Sequence, residues 1–325
     1  MKKIFIGIDI SNLTLDICIK KDGQLQYFTI HNQIKAIKAF FKKHTTEGNV
    51  IAMENTGRYN WNLYEVLASS NFQVYVIPPV HLKMSLGLSR GKNDKVDALR
   101  ICSYIEKNQA ESIIWKPSSI VVRQLKVLLT ERQSRIKMKS QLIRQQYDYR
   151  LMKTLALDKD LLSLNKQLIK AIEIQILKIE ADIEKSILGD QELKKQSELI
   201  KSVPGVGKVV SWTLIAKTEG FTTISDPRKL ACYCGVAPFD YQSGTSIRGR
   251  SRVSMFADKN MKTLLHLAAM SAIRLNNELK MYYQRKVGEG KNKMSVLNAV
   301  RNKIIHRVFA VIKNQTIYKN DLVLS

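Results

Sequence analysis

The chain has 325 residues, of which 45% are hydrophobic, so it can build two or three globular domains and is not an intrinsically disordered protein. It contains 53 Lys and Arg residues against 28 Asp and Glu, a net charge of +25. A surface of one sign attracts polyanions and releases their counterions, which indicates nucleic acid as the partner. The alternatives are a ribosome-associated protein or a basic soluble enzyme. We find no amphipathic anchor of the kind that a basic membrane-surface protein would carry.

Cysteine usage and the N-terminal segment indicate a cytoplasmic protein. No paired CxxC or accompanying histidine stands at zinc-ligand spacing, so we interpret the cysteines as reduced core residues. They are Cys18, Cys102, Cys232 and Cys234. Met1 leads almost directly into a strand-like run, and no apolar stretch approaches membrane length. We therefore expect neither a signal segment nor a membrane partner.

The first hundred residues alternate strand and helix signals. Three short β-rich runs separated by turn residues predict an antiparallel meander, followed by an amphipathic helix with apolar residues at helical spacing. The runs are Ile4–Ile10, Leu15–Lys20 and Gln24–Ile30, and the helix carries Ile34, Ile37, Phe40 and Phe41. The next predicted elements are strand Val50–Met53, helix Trp61–Ser69, strand Gln73–Ile77, which Pro78 and Pro79 close, and helix Asp94–Lys107. The order βββαβαβα is that of the RNase H-like fold, which we predict for residues 1–112.

A long helical segment follows, with no glycine before Gly189. Its periodicity predicts a helical hairpin or coiled-coil arm over residues 113–190, with a break near Asp158. We interpret its apolar stripe as ordinary core or a dimer seam. The stripe consists of Leu125, Leu128, Leu129, Ile172, Ile176 and Ile179. Residues 116–170 carry a net charge of +9, so the other face of the arm suits nucleic acid.

The remaining residues, 191–325, predict a mainly α-helical domain. Glycines, prolines and short helical stretches begin near Leu199. Residues 243–325 carry 16 basic and four acidic side chains, a net charge of +12. The positive charge is thus concentrated in the arm and in this last domain.

Four acidic residues stand at positions that favour a metal site. Asp9 lies within an apolar strand, where an unpaired carboxylate is costly to bury, and Glu54 directly follows the apolar run Val50–Met53. Asp94 and Asp97 are three residues apart at the start of a predicted helix and so share one face. If the first and fourth strands are neighbours, as the RNase H-like order implies, all four acids converge at one end of the sheet.

Such a set of oxygen ligands suits Mg²⁺ or Mn²⁺. Two ions about 3.5–4 Å apart would hold the attacking and leaving oxygens of a phosphodiester displacement. Asp94 and Asp97 are also explained as acids favoured by the helix dipole, but Asp9 is not. Sugar kinases and other actin-like ATPases open with a similar Gly-Ile-Asp strand. They need a second glycine-rich phosphate loop, which is absent from this sequence, and the charge of +25 fits them poorly.

The C-terminal part contains two motifs that favour DNA contact. Val203-Pro204-Gly205-Val206-Gly207-Lys208 resembles the turn of a helix-hairpin-helix, whose backbone N–H groups approach a phosphate, although a plain interhelical turn explains it equally well. A polar, loop-like segment then carries Arg248, Arg250 and Arg252, which can neutralise a phosphate. A serine beside these arginines is a candidate nucleophile toward phosphorus. Ser243 competes for this role with Ser246, Ser251 and Ser254.

The ordered set of motifs resembles the DEDD transposases, the insertion-sequence recombinases related to the pilin-gene invertase. The resemblance spans most of the chain and rests on the following segments: Gly7-Ile8-Asp9, Met53-Glu54-Asn55-Thr56-Gly57, Asn93-Asp94-Lys95-Val96-Asp97-Ala98, Val203-Pro204-Gly205-Val206-Gly207, and Gly235-Val236-Ala237-Pro238 with Ser243-Gly244. It implies a RuvC-like domain, a coiled-coil arm and a transposase domain with a catalytic serine.

By this resemblance, the four acids Asp9, Glu54, Asp94 and Asp97 would bind metal and Ser243 would attack the DNA phosphate. The partners implied are double-stranded DNA and a bridge RNA that selects donor and target sites. The implied assembly is a homodimer that pairs into a tetramer, with each active site drawn from two subunits, in the nucleoid of a prokaryote.

One segment departs from the family pattern. After the arginines, members commonly have Ser-Lys-x-Gly, whereas this chain has Ser254-Met255-Phe256-Ala257-Asp258, so no lysine is available there for a phosphate. Two alternatives to a recombinase remain. A RuvC-like junction nuclease would hydrolyse DNA with the carboxylates alone, and a non-catalytic nucleic-acid-binding scaffold would cut nothing.

Overall fold

A computed structural model describes residues 3–45, 48–85, 93–152, 156–243, 247–275 and 278–319; within these ranges the side chains of 240–248 and 250–252 lie outside the description. The chain forms two compact units, Met1–Pro117 and Ser118–Ser325. Among the described helices, none combines the length and the apolar character needed to cross a bilayer.

The first unit is built on a five-stranded mixed sheet. Its strands are β1 (Phe5–Ile10), β2 (Thr14–Lys21), β3 (Gln24–His31), β4 (Val50–Glu54) and β5 (Gln73–Ile77). The order across the sheet is β3-β2-β1-β4-β5. The first three strands are antiparallel, whereas β1, β4 and β5 run parallel to one another. The five predicted strands and the predicted adjacency of the first and fourth strands are therefore confirmed.

Helices cover both faces of this sheet. They are α1 (Ile34–His44), α2 (Trp61–Leu67), α3 (Pro79–Ser85) and α4 (Asp94–Asn108). Apolar side chains of β1 and β2 pack with those of α1 and α2 on one face, and α4 covers the other. Helix α3 was not predicted, because we interpreted Pro78 and Pro79 only as the end of a strand. Proline fits the first turn of a helix, where its missing N–H has no partner to lose.

The predicted helical hairpin is confirmed in the second unit by α5 (Ile120–Leu151) and α6 (Asp158–Leu188). Arg132 bonds Glu180 at 2.7 Å and Lys139 pairs with Glu173 at 2.6 Å, so the two helices are antiparallel. Leu125 at the base of α5 is fully buried in the core that the C-terminal helices share. This shared core explains why the compact unit begins at Ser118. The three-domain division at 112/113 and 190/191 stays a prediction.

The rest of the second unit is mainly helical, as predicted. Its helices are α7 (Gln191–Lys201), α8 (Lys208–Thr218), α9 (Pro227–Tyr233), α10 (Lys259–Ala272), α11 (Glu278–Gly288) and α12 (Lys293–Asn314). One expectation was wrong: the segment that we predicted as a polar loop contains a two-stranded hairpin, β6 (Phe239–Ser243) and β7 (Ile247–Arg252). Aromatic and branched residues alternate with polar ones there, a β pattern that the density of arginines obscured.

The cysteines largely follow the prediction. Cys18, Cys102 and Cys234 are fully buried free thiols, whereas Cys232 is only half-buried.

Candidate active site

Asp9 and Glu54 lie at the same edge of the sheet of the first unit. The parallel register pairs Ile8 with Met53, so that Asp9 and Glu54 are the next residues of β1 and β4. Both side chains are half-buried. The carboxyl ends of neighbouring parallel strands thus bring two acids 45 positions apart in the sequence to one place.

Helix α4 carries the other two acids across the same face of the sheet. A Cβ atom added at Gly7 would lie 2.2 Å from the carbonyl oxygen of Ala98 and 2.4 Å from the amide nitrogen of Cys102. Only glycine permits this approach, because any side chain at position 7 would push α4 off β1. Asp94 and Asp97 lie in the first turn of α4, Asp94 one turn before Ala98 and Asp97 directly before it.

The other three acids raise the pKa of Asp9. Its pKa is raised from 3.8 to about 6, first by burial and next by the negative charge of Asp97. Glu54 and Asp94 raise the pKa further, and a hydrogen bond with the backbone of Ile10 acts in the opposite direction. Mutual repulsion of this kind is typical of carboxylates that await a cation.

The acids do not form a closed ligand cage. Within the described residues, no three side chains of the metal-binding types are close enough together to hold an ion. One reason is visible at Asp97, whose Oδ1 accepts a hydrogen bond at 2.7 Å from Nη1 of Arg100. Asp94 is exposed and Asp97 is half-buried, so both can turn toward Asp9. The donor set fits a divalent cation once Asp97 releases Arg100.

Two supporting residues were missed at the level of sequence. Buried Asn60 donates Nδ2 to the carbonyl of Glu54 at 2.9 Å and accepts from Thr56 with Oδ1, which fixes the end of β4. Asp16 pairs directly with Asp9 in the antiparallel register, is 8% exposed and accepts a 2.6 Å hydrogen bond from Thr29. Asp16 interrupts the apolar run Leu15–Ile19 as Asp9 interrupts its own strand, and this signal could have identified it.

The predicted nucleophile lies in the hairpin of the second unit. Ser243 ends β6 and pairs with Ile247 in the register, while Arg248, Arg250 and Arg252 occupy alternate positions of β7. The side chains of these four residues and of Ser251 lie outside the description, as does all of Ser246. The fourth candidate serine, Ser254, accepts the amide of Phe256 with its hydroxyl at 3.2 Å and so has a structural role.

The segment that departs from the family pattern is held by ionic contacts. Asp258 pairs with Lys217 at 2.8 Å and also accepts the amide of Met261, which caps α10. The Tyr233 hydroxyl lies 3.3 Å from the same carboxylate. Met255, at the position where the lysine was expected, is 90% exposed. Position 255 therefore carries no cation. The lysine that pairs with Asp258 in this segment is Lys217 of α8.

The two glycines of the predicted helix-hairpin-helix turn have different surroundings. Gly205 has a φ of +83° and faces α10, where an added Cβ would lie 2.3 Å from the carbonyl oxygen of Ala268. A Cβ at Gly207 would meet no atom within 4 Å, and this residue directly precedes α8. Lys208 pairs with Glu184 at 2.9 Å on the surface. Gly207 therefore offers open backbone, whereas Gly205 is required by packing.

Two family models match successive parts of the chain. The model for DEDD transposases of the IS110 type, described as Transposase, matches residues 6–148, and one described as Transposase IS116/IS110/IS902 family matches residues 197–284. The first match contains the four acids and the second contains Ser243. The chain is thus a DNA transposase.

Curated proteins with related sequences agree with this class. Pilin gene-inverting proteins of Moraxella bovis and Moraxella lacunata are each 26% identical over 322 residues, covering 96% of this chain and 97% of theirs. An uncharacterized 43.6 kDa protein of insertion element IS110 from Streptomyces coelicolor is 27% identical over 126 residues, covering 39% of this chain and 31% of that protein. The models and relatives together show that this chain is similar to the DEDD transposases of the IS110/IS116/IS902 type.

Proposed function

We propose that this transposase cuts and rejoins double-stranded DNA through a phosphoserine intermediate formed by Ser243, with a metal-binding DEDD site in the first unit. The observation that carries the metal half is geometric: Asp9 and Glu54 end neighbouring parallel strands, and the first turn of α4, with Asp94 and Asp97, precedes the contact of this helix with Gly7. The raised pKa of Asp9 agrees with this arrangement. The match of residues 197–284 to a transposase model supports the serine half.

The four acids Asp9, Glu54, Asp94 and Asp97 would hold Mg²⁺ or Mn²⁺. Members of this family are typically metal-dependent. A bound divalent ion would supply a Lewis acid that stabilises charge on the phosphoryl oxygens. Asp97 would then bind the ion instead of Arg100, which follows it by three residues on α4. The strand order β3-β2-β1-β4-β5 supports the RNase H-like, RuvC-like fold that we propose for this unit.

Ser243 performs the exchange of bonds. Its hydroxyl oxygen attacks the phosphorus as its proton passes to water. The bond between phosphorus and the deoxyribose oxygen breaks, and this oxygen takes a proton from water and leaves as a hydroxyl. A hydroxyl of the second DNA end then attacks the phosphoserine, which restores the serine and joins the new ends. Because each step exchanges one phosphoester for another, no nucleotide hydrolysis is needed. Arg248, Arg250 and Arg252 neutralise the phosphate on which these steps occur.

The partners follow from charge and from family resemblance. The +9 arm and the +12 C-terminal segment suit DNA together with a guide RNA, the bridge RNA, that selects the sites by base pairing. We propose a homodimer that assembles into a tetramer, with the acids and the serine of one active site supplied by different subunits. The two relatives named pilin gene-inverting proteins support site-specific recombination as the outcome.

A joining assay tests the proposal. The protein is incubated with Mg²⁺, DNA carrying its element ends, target DNA and RNA transcribed from the element flank, and joined products are quantified by sequencing. We expect Ser243→Ala to lose joining by at least about a thousandfold, and Ser254→Ala, the matched serine control, to retain it. Equal joining by wild type and Ser243→Ala would refute the serine mechanism and favour the junction-nuclease alternative.

A further inference from the structure

Arg301 is a buried cation in the second unit. It lies in the middle of α12, is 6% exposed and has no carboxylate partner among the side chains that the structure describes. Its Nη2 lies 2.7 Å from Nδ1 of His266 and its Nη1 donates to Oδ1 of Asn298 at 3.3 Å. Its Nε has no hydrogen-bond partner. Burying such a group costs free energy, since none of the described side chains supplies a carboxylate to compensate its charge.

The contact with Arg301 fixes the state of His266. An arginine only donates, so Nδ1 of His266 must accept and the ring proton must lie on Nε2. Burial and the charge of Arg301 both lower the pKa of His266, which keeps the ring neutral at physiological pH. His266 is half-buried and therefore presents an N–H donor with a cation directly behind it.

A second cation reaches the same place. Lys262 lies one turn before His266 on α10, on the same face of the helix. Its Nζ is 3.9 Å from the position that a Cβ of Gly235 would occupy, and Gly235 has a φ of +62°. Asn298 donates Nδ2 to the carbonyl of Val236 at 2.6 Å. The cluster of Lys262, His266, Asn298 and Arg301 is thus tied to the turn that leads into β6 and Ser243.

We propose that this cluster binds a phosphate of the DNA backbone next to the serine hairpin, with Lys262 and His266 in contact with the anion and Arg301 as the positioning residue behind them. Arg301, which no described carboxylate neutralises, favours an anion, and the +12 charge of residues 243–325 favours a polyanion over a single carboxylate. Lys262 supplies the phosphate contact that the segment Ser254–Asp258 lacks. The identity of the anion as DNA rests on the proposed function, whereas the affinity for phosphate does not.

Thermal unfolding of the full chain tests the site, with inorganic phosphate as the probe and chloride at matched ionic strength as the reference. For wild type we expect a saturable rise of the unfolding temperature with phosphate. Arg301→Met should abolish the saturable part and, in chloride, unfold at a higher temperature than wild type, because an unpaired buried charge has been removed. Lys262→Met should raise the half-saturating phosphate concentration about tenfold. Lys313→Met, which removes one exposed charge at the far end of α12, is the matched control and should respond like wild type.

A phosphate response in Arg301→Met and Lys262→Met equal to that of wild type would overturn the proposal. Destabilisation of Arg301→Met in chloride would show that the arginine is structural, and it too would count against the proposal. If Arg301→Met does not fold, Lys262→Met and the His266 ring signals in NMR decide: phosphate should raise the pKa of His266 in wild type, and Lys262→Met should need about tenfold more phosphate for the same rise. If the cluster binds phosphate but Ser243→Ala joins DNA as well as wild type, the proposed function is refuted and this inference stands.

Discussion

Replacing Asp9 by Asn should make the metal-free protein more stable while it removes activity. The pKa of Asp9 is raised from 3.8 to about 6, a shift of about two units, which corresponds to about 3 kcal/mol if fully realised. Because the side chain is only half-buried, solvent screening reduces this to about 1–2 kcal/mol. Asn has nearly the same shape and carries no charge, so it relieves the repulsion from the other three acids.

The pH dependence of this effect has a defined sign. The folded protein holds the Asp9 proton up to about pH 6, whereas the unfolded chain releases it near pH 3.8. Between these values the folded state binds more protons, so stability contributed by the neutral carboxyl is lost as pH rises from about 4 to about 6. Asp9→Asn should therefore exceed wild type by about 1–2 kcal/mol at pH 8. At pH 4 the two proteins should be nearly equal in stability.

Urea unfolding in EDTA measures the difference. The first unit contains Trp61 and Trp115, and a Trp212→Phe background removes the tryptophan of the second unit from the fluorescence signal. Added Mg²⁺ should stabilise wild type and leave Asp9→Asn unchanged. Asp16→Asn is the control, since its carboxylate already accepts a hydrogen bond from Thr29 and its removal should bring no gain. A lower stability of Asp9→Asn than of wild type at pH 8 would show that the charged carboxylate of Asp9 does not destabilise the metal-free protein.

Three further changes test how the site is held together. Gly7→Ala should destabilise the first unit by about 1–3 kcal/mol in the same urea assay and weaken Mg²⁺ binding by calorimetry, because α4 must move off β1; unchanged binding would contradict this. Asn60→Ala should cost about 1–3 kcal/mol and lower activity by displacing the end of β4 at Glu54, and a fully active variant would disprove that role. Gly205→Ala should lower the free energy of unfolding by at least about 2 kcal/mol, because the added Cβ would clash with α10. Gly207→Ala should lower the free energy of unfolding by about 0.5 kcal/mol and weaken DNA binding. Equal losses in the two variants would contradict the difference in their surroundings.

The strands of the sheet were predictable because the pattern that indicates each strand lies within that strand's own residues. Alternating apolar residues define each strand, and the two parallel strands at the centre carry their acids where the strands end. The meeting of Asp9 with Glu54 followed from strand order once the first and fourth strands were taken as neighbours. The helical hairpin was equally predictable, since a long segment with helical periodicity and no glycine favours helix over other structures.

Features that depend on distant packing were not predictable from the sequence. The contact of Gly7 with Ala98 joins residues 91 positions apart. Neither the strand pattern around Gly7 nor the helix pattern around Ala98 predicts this contact. The burial of Arg301 could not be predicted for the same reason, because a single arginine in an apolar helix predicts an exposed side chain. The hairpin around Ser243 was mistaken for a loop because its polar composition outweighed its weak alternation.

Covalent trapping tests the central claim most directly. Wild type, Ser243→Ala and Asp9→Ala are incubated with Mg²⁺, flank RNA and DNA carrying the element ends, then denatured and analysed for a protein–DNA adduct by gel and mass spectrometry. The phosphoserine mechanism predicts an adduct at Ser243 in wild type and none in either variant. Cut DNA without an adduct, in amounts that Ser243→Ala does not change, would contradict it.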